Sequence, residues 1–133
     1  MFDPVLSALP AFASFFLTAL ALLAAFLGLY IAVTPYNEMA LIRAGNEAAA
    51  VSLGGATLGF ALPIAVSVAV SHNIYAMLGW GVVAGGVQLL AYTLARLVLP
   101  TLNQAIPQGR LAAAIFMASL SLGVGILNAG CII

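Results

Sequence analysis

Apolar residues occur in four long blocks separated by short polar connections. The blocks run from about Pro10 to Val33, from about Ala48 to Val70, from about Ile74 to Leu99, and from about Leu111 to the C-terminus. Each is long enough, at 1.5 Å per residue, to cross a hydrocarbon core of ~30 Å as a helix. The pattern predicts an all-α integral membrane protein with four transmembrane helices in a single membrane domain, 1–133. Thr34-Pro35 closes the first block, and a short helix through Met39, Leu41 and Ile42 is expected before the turn at Gly45-Asn46. Ser71-His72-Asn73 leaves room only for an antiparallel hairpin, and Pro100, Pro107 and Gly109 punctuate the next connection.

The ends of the first helix are less simple. Asp3 before Pro4 reads as an N-cap followed by proline at the first helical position. A helix counted from Pro4 would be roughly 45 Å long, so either residues 4–9 lie along the interface or the chain bends at Pro10. A signal peptide begins with positive charge, and this start has an acid and no base, so the segment is expected to remain in the mature protein. Pro63 removes the backbone bond to Gly59 and is expected to bend the second helix, which shapes the bundle.

A shift of 64 residues superimposes one half of the chain on the other. Ile42 falls on Ile106, Gly45 on Gly109, Ala48 to Ala50 on Ala112 to Ala114, Leu58-Gly59 on Leu122-Gly123, and Ala65 on Ala129. Turn glycines and span boundaries coincide along with the identities. The expected organisation is two helical hairpins of the same orientation, a parallel duplication with repeats of about 10–70 and 74–133.

Laid out at 100° per residue, each span carries a small-or-polar stripe. In the third it is Gly81, Gly85, Gln88, Tyr92 and Arg96, and in the fourth Ala114, Ala118, Ser121, Gly125 and Asn128. The shift carries the fourth stripe onto Ala50, Gly54, Thr57 and Ala61 of the second span, and in the first Ser14, Thr18, Ala21, Ala25, Gly28 and Ala32 share a sector. Small residues let membrane helices approach closely, because lipid supplies no hydrophobic drive between them. Gly55–Gly59 and Gly81–Gly85 are small-xxx-small pairs of this kind.

Composition agrees with the pattern. Charged residues make up 5% of the chain, against roughly 25% in a soluble domain, too few for a polar skin. Net charge is zero, which removes the electrostatic basis for nucleic-acid binding. Arg43, Arg96 and Arg110 are the only basic side chains besides His72, and all lie in or beside the two longer connections. Those connections are therefore expected to face the cytoplasm, with both termini and the 71–73 turn periplasmic. Tyr30 and Tyr36 at one interface, with Tyr75 and Trp80 toward the other, fit aromatic belts.

Candidate chemistry is sparse. The possible functional stripe is Gln88, Tyr92 and Arg96, with Thr57, Ser121 and Asn128 as its polar neighbours. It reads either as interhelical hydrogen-bond glue or as a polar path from mid-membrane to the cytoplasm, and Arg96 is close enough to the interface to snorkel. Cys131 reads as a small apolar residue at a helix end, and His72 as a solvated turn residue. Glu38 and Glu47 are expected to be satisfied by Arg43 and by helix N-termini. No acid, base or ligand set converges, so no catalytic residue, cofactor or metal is expected.

The run Thr34-Pro35-Tyr36-Asn37-Glu38-Met39-Ala40-Leu41-Ile42-Arg43-Ala44-Gly45-Asn46, leading into Ser52 to Pro63, resembles the YjfL-like family of small bacterial inner-membrane proteins. The resemblance continues through Gln88 to Tyr92 and Leu122 to Ala129. It implies a bacterial envelope protein built from two similar helical hairpins, of unknown function, often encoded beside stress-associated genes. Two functions compete. One is a non-enzymatic scaffold in an envelope-stress system, homo-oligomeric in the lipid bilayer, binding a peripheral protein through 34–47 and 100–110. The other is an oligomeric channel or carrier for a small solute or ion, using the Gln88–Tyr92–Arg96 stripe. No carboxylate lies inside any predicted span, which speaks against a small multidrug-type exporter.

Overall fold

The computed structural model describes residues 3–133. Six helices follow one another: α1 (Asp3–Val33), α2 (Glu38–Arg43), α3 (Glu47–Ser71), α4 (Ile74–Val98), α5 (Leu102–Ala105) and α6 (Leu111–Ile132). α1, α3, α4 and α6 are each long and apolar enough to cross a membrane. Their ends lie close to the hydropathy boundaries, except that α1 runs unbroken through Pro10 back to Asp3. The Met1-Phe2 start lies outside the described residues. α5 is the one element the sequence pattern did not suggest.

Local chemistry sets the boundaries. Asn46 caps α3 by accepting from the Ala49 N–H at 3.0 Å, and Asn37 caps α2 by accepting from Ala40 at 3.1 Å. Asn73 caps α4 through Tyr75 and Ala76. Gly45 and Gly109, with φ of +90° and +76°, take the left-handed turns immediately before the capping residues of α3 and α6. Each half of the chain thus runs long helix, short helix, left-handed glycine, long helix.

α3, α4 and α6 form the packed centre, and α3 against α6, which run in the same sense, is the tightest pairing. Glycine makes that approach possible. A Cβ added to Gly55 would lie under 3.0 Å from the Ala118 backbone, one on Gly59 would strike the Ser121 carbonyl, and one on Gly125 would fall within the backbone of Gly59. The sequence-derived stripes of α4 and α6 face this centre: Gly81, Gln88, Tyr92, Ala114, Ser121 and Gly125 are all buried. On α3 the core face is Ser52, Gly55, Ala56, Gly59, Phe60 and Pro63, and the expected stripe from Ala50 to Ala61 lies at its margin.

The first-span stripe is corrected outright. Ser14, Ala21, Ala25, Gly28 and Ala32 are exposed, so that face of α1 looks away from the bundle. α1 docks instead through large side chains. Phe26 stacks on Phe60 of α3, with ring centroids 4.4 Å apart and planes 1° from parallel, and Tyr30 meets Tyr92 of α4 edge-on at 5.8 Å. The small face was expected to mediate close approach. A peripheral helix meeting a groove between two others is better held by long aromatic side chains that reach into it. Gly85 is corrected in the same way, because a Cβ there would meet the Phe26 and Phe60 rings at ordinary contact distance, 3.8 and 3.9 Å.

Candidate functional site

The polar stripe is closed by packing. Gln88 is fully buried, and its Nε2 donates to the Ser121 carbonyl at 3.0 Å, tying α4 to α6. Tyr92 donates to Asn103 Oδ1 at 2.5 Å, tying α4 to the connection after it. The exposed Arg96 guanidinium lies 5.9 Å from the centre of the Tyr92 ring. Thr57 donates to Leu53 of its own helix at 2.8 Å. Gln88 Oε1, the Ser121 hydroxyl and Asn128 Nδ2 are buried without a partner. The structure therefore pairs Gln88 with Ser121 and Tyr92 with Arg96, while Thr57 bonds within α3. The clefts of the molecule are mostly apolar. The one between α1 and α4, about 230 Å³, is lined by residues such as Leu22, Phe26, Gly81 and Gly85.

A second polar centre lies at the end of the bundle that carries the arginines, and sequence reasoning missed it. Glu38, the first residue of α2, is 1% exposed. Its Oε1 is hydrogen-bonded to the Thr34 hydroxyl, while its Oε2 has no partner. No arginine pairs with it among the described residues. The expectation that Arg43 satisfies Glu38 is thereby overturned: Arg43 is exposed in the last turn of α2, while the carboxyl turns into the bundle. Glu47 is exposed in the first turn of α3, as its expected helix N-terminal placement requires.

Tyrosines line this centre. Tyr30 is 1% exposed and packs inside the bundle, Tyr36 is half-buried, and Ser52 of α3 lies beside both hydroxyls. Both hydroxyls are buried without a hydrogen-bond partner. Burial is the main reason the Glu38 carboxyl is held above its ordinary value of 4.5, with the Thr34 hydroxyl and a backbone N–H pulling the other way. Burial likewise pushes the Tyr36 phenol far above its usual range.

One sequence signal marks this position. The 64-residue shift sets Glu38 opposite Leu102, which is fully buried at the start of α5. An acid at a place where the other half carries leucine is a local inconsistency, and such inconsistencies gather at functional sites.

The two connections at this end form one surface. Asn46 Nδ2 donates to the carbonyls of Ile106 at 3.0 Å and Pro107 at 3.2 Å, joining the turn before α3 to the turn before α6. A shallow cleft of about 420 Å³ lies over the joint, lined by Leu41, Asn46, Glu47, Pro107, Gln108 and Leu111 among others. Arg43 and Arg110 are exposed beside it. Among the described residues no group of three His, Cys, Asp or Glu side chains could hold a metal ion. His72 is exposed in a left-handed conformation, and Cys131 is exposed near the end of α6.

Comparison with known proteins agrees with the membrane architecture. The family model described as Domain of Unknown Function (DUF350) matches residues 4–132. An inner membrane protein of Escherichia coli strain K12, YjfL, is 35% identical over 127 residues, 96% of each chain. A transmembrane protein of Bacillus subtilis strain 168, YshE, is 31% identical over 88 residues, 66% of each. No solved structure matches this chain.

Proposed function

This chain belongs to the family described as Domain of Unknown Function (DUF350), multi-pass proteins of the inner membrane, and on that premise we propose that it is a non-enzymatic membrane scaffold. Its recognition surface is the joined pair of connections at the arginine end, presented to a peripheral protein on the cytoplasmic face. The observation that carries this reading is the Asn46 bridge to Ile106 and Pro107. A tied pair presents fixed groups, so less conformational entropy is lost when a partner binds. The stress-associated setting implied by the family fits a protein that recruits a soluble partner to the membrane.

The channel or carrier reading has weaker support within one chain, because Gln88 and Tyr92 are engaged by Ser121 and Asn103. Arginines at one end support the cytoplasmic placement of that end, with both termini periplasmic.

The reading is tested by placing a photo-cross-linking residue at Gln108 or, as a control, at Leu127, which is 70% exposed on the membrane-facing side of α6. A discrete protein adduct is expected from Gln108 in intact cells and none from Leu127, with loss of the adduct on charge reversal at Arg43 and Arg110. Equal labelling from both positions, or labelling indifferent to both arginines, would remove the support for a docking surface there.

A further inference from the structure

The chain has three acidic side chains, and Glu38 alone among them is buried, for Asp3 and Glu47 are exposed. A buried carboxylate needs a cation or several donors to offset the loss of hydration. The groups near Glu38 are its own backbone N–H at the start of α2, Tyr30 of α1, Thr34 and Tyr36 of the connection after it, and Tyr92 of α4 with Arg96 beyond its ring. Arg43, on α2 itself, is exposed. None of these provides a cation in contact with the carboxyl, and the Tyr30 and Tyr36 hydroxyls make no hydrogen bond to it.

Proton counting then distinguishes the two forms of the acid. Thr34 Oγ1 lies within hydrogen-bond distance of three oxygens: the Ile31 carbonyl at 3.1 Å, the Tyr36 carbonyl at 3.3 Å, and Glu38 Oε1. A threonine hydroxyl has one proton to give and can also accept. With Glu38 ionised, three acceptors compete for that proton, and the contact to the carboxylate or those to the carbonyls go unmet. With Glu38 un-ionised, the carboxyl donates to Thr34 Oγ1, and Thr34 donates onward to a carbonyl. Only the neutral acid supplies a proton for each end of this chain of contacts.

We propose that Glu38 is a proton-binding site, un-ionised in the folded protein at neutral pH, and that its ionisation releases α2 from the bundle. The second half of the statement follows from how α2 is held. Glu38 is the most deeply buried residue of this six-residue helix, whose Leu41 and Ile42 also pack, partly buried, against the core. At the start of α5, the place set opposite by the 64-residue shift, the buried residue is Leu102, which cannot ionise. The deepest anchor of α5 is therefore permanently apolar, whereas the deepest anchor of α2 is one that water reclaims once its proton leaves, leaving only the partly buried Leu41 and Ile42 to hold the helix.

The test uses the full-length protein in nanodiscs and reads two signals against pH. Infrared difference spectra report the carbonyl stretch of an un-ionised carboxyl, and a spin label at Met39, exposed on α2, reports release in a Cys131→Ala background. At neutral pH the wild-type protein and Glu47→Gln should both show the un-ionised band, and Glu38→Gln should lack it. As pH rises the wild-type band should vanish together with immobilisation of the Met39 label, while in Glu38→Leu the label should stay immobile throughout. Absence of the band from wild-type and Glu47→Gln at neutral pH would overturn the proposal even if the Glu38 variants fail to assemble. So would a band lost on titration without any change at Met39. A thermal midpoint that rises with sodium or potassium at fixed pH, with no un-ionised band, would assign the site to a metal cation instead and refute proton binding.

Discussion

Adding one methyl group to Gly125 should separate α3 from α6. The Cβ of Gly125→Ala would fall within Gly59, against its Cα and carbonyl oxygen, and these backbone atoms cannot rotate away as a flexible side chain would. The helices must move apart, at the about 1–3 kcal/mol typical of overpacking. Gly123, two residues away on the same helix, supplies the control, because a Cβ there meets nothing within 4 Å. Gly123→Ala should be neutral or stabilising by up to about 1 kcal/mol, from helix propensity alone. The assay is equilibrium unfolding in mixed micelles, followed by circular dichroism. Equal stability of Gly125→Ala and Gly123→Ala would refute the close α3–α6 crossing.

Other substitutions test the remaining polar contacts and the orientation. Asn46→Ala removes the α3 cap and both bonds to the second connection, and should cost about 1–2 kcal/mol in the same unfolding assay. Gln88→Leu removes one bond of about 0.6 kcal/mol and should assemble normally by size-exclusion chromatography. The Glu38 carboxyl is raised above 4.5, so its contribution to stability is full below that value and declines as pH rises through the folded value. The wild-type thermal midpoint should therefore fall on going from mildly acid to alkaline buffer, while that of Glu38→Gln stays level. A periplasm-only reporter fused after Ile133 should be active, and activity of a cytoplasm-only reporter there would reverse the orientation.

The spans were legible because hydropathy acts locally: a run of apolar residues bounded by Asn-capped turns needs no tertiary information to be read as a crossing helix. The stripes of α4 and α6 were legible too, because in a central helix small and polar residues have one place to go. α1 was misread for the opposite reason. It touches the bundle along a narrow line, and nothing local reveals that Phe26 and Tyr30, rather than Gly28 and Ala32, lie on it. Glu38 was missed because an acid in a polar connection looks solvated. It is buried in the folded chain, where Tyr30 of α1 and Tyr92 of α4, far apart in sequence, come near it. α5 is a four-residue turn of helix, below the length at which periodicity carries a signal.

The contest between scaffold and conduit is decided most directly by the proton and small-solute permeability of vesicles containing the purified protein. With Gln88 closed against Ser121 and Tyr92 against Asn103, permeability should equal that of protein-free vesicles and should not change in Gln88→Leu. A saturable flux through the wild-type protein that Gln88→Leu abolishes, with assembly intact, would contradict the scaffold and restore the stripe as a path.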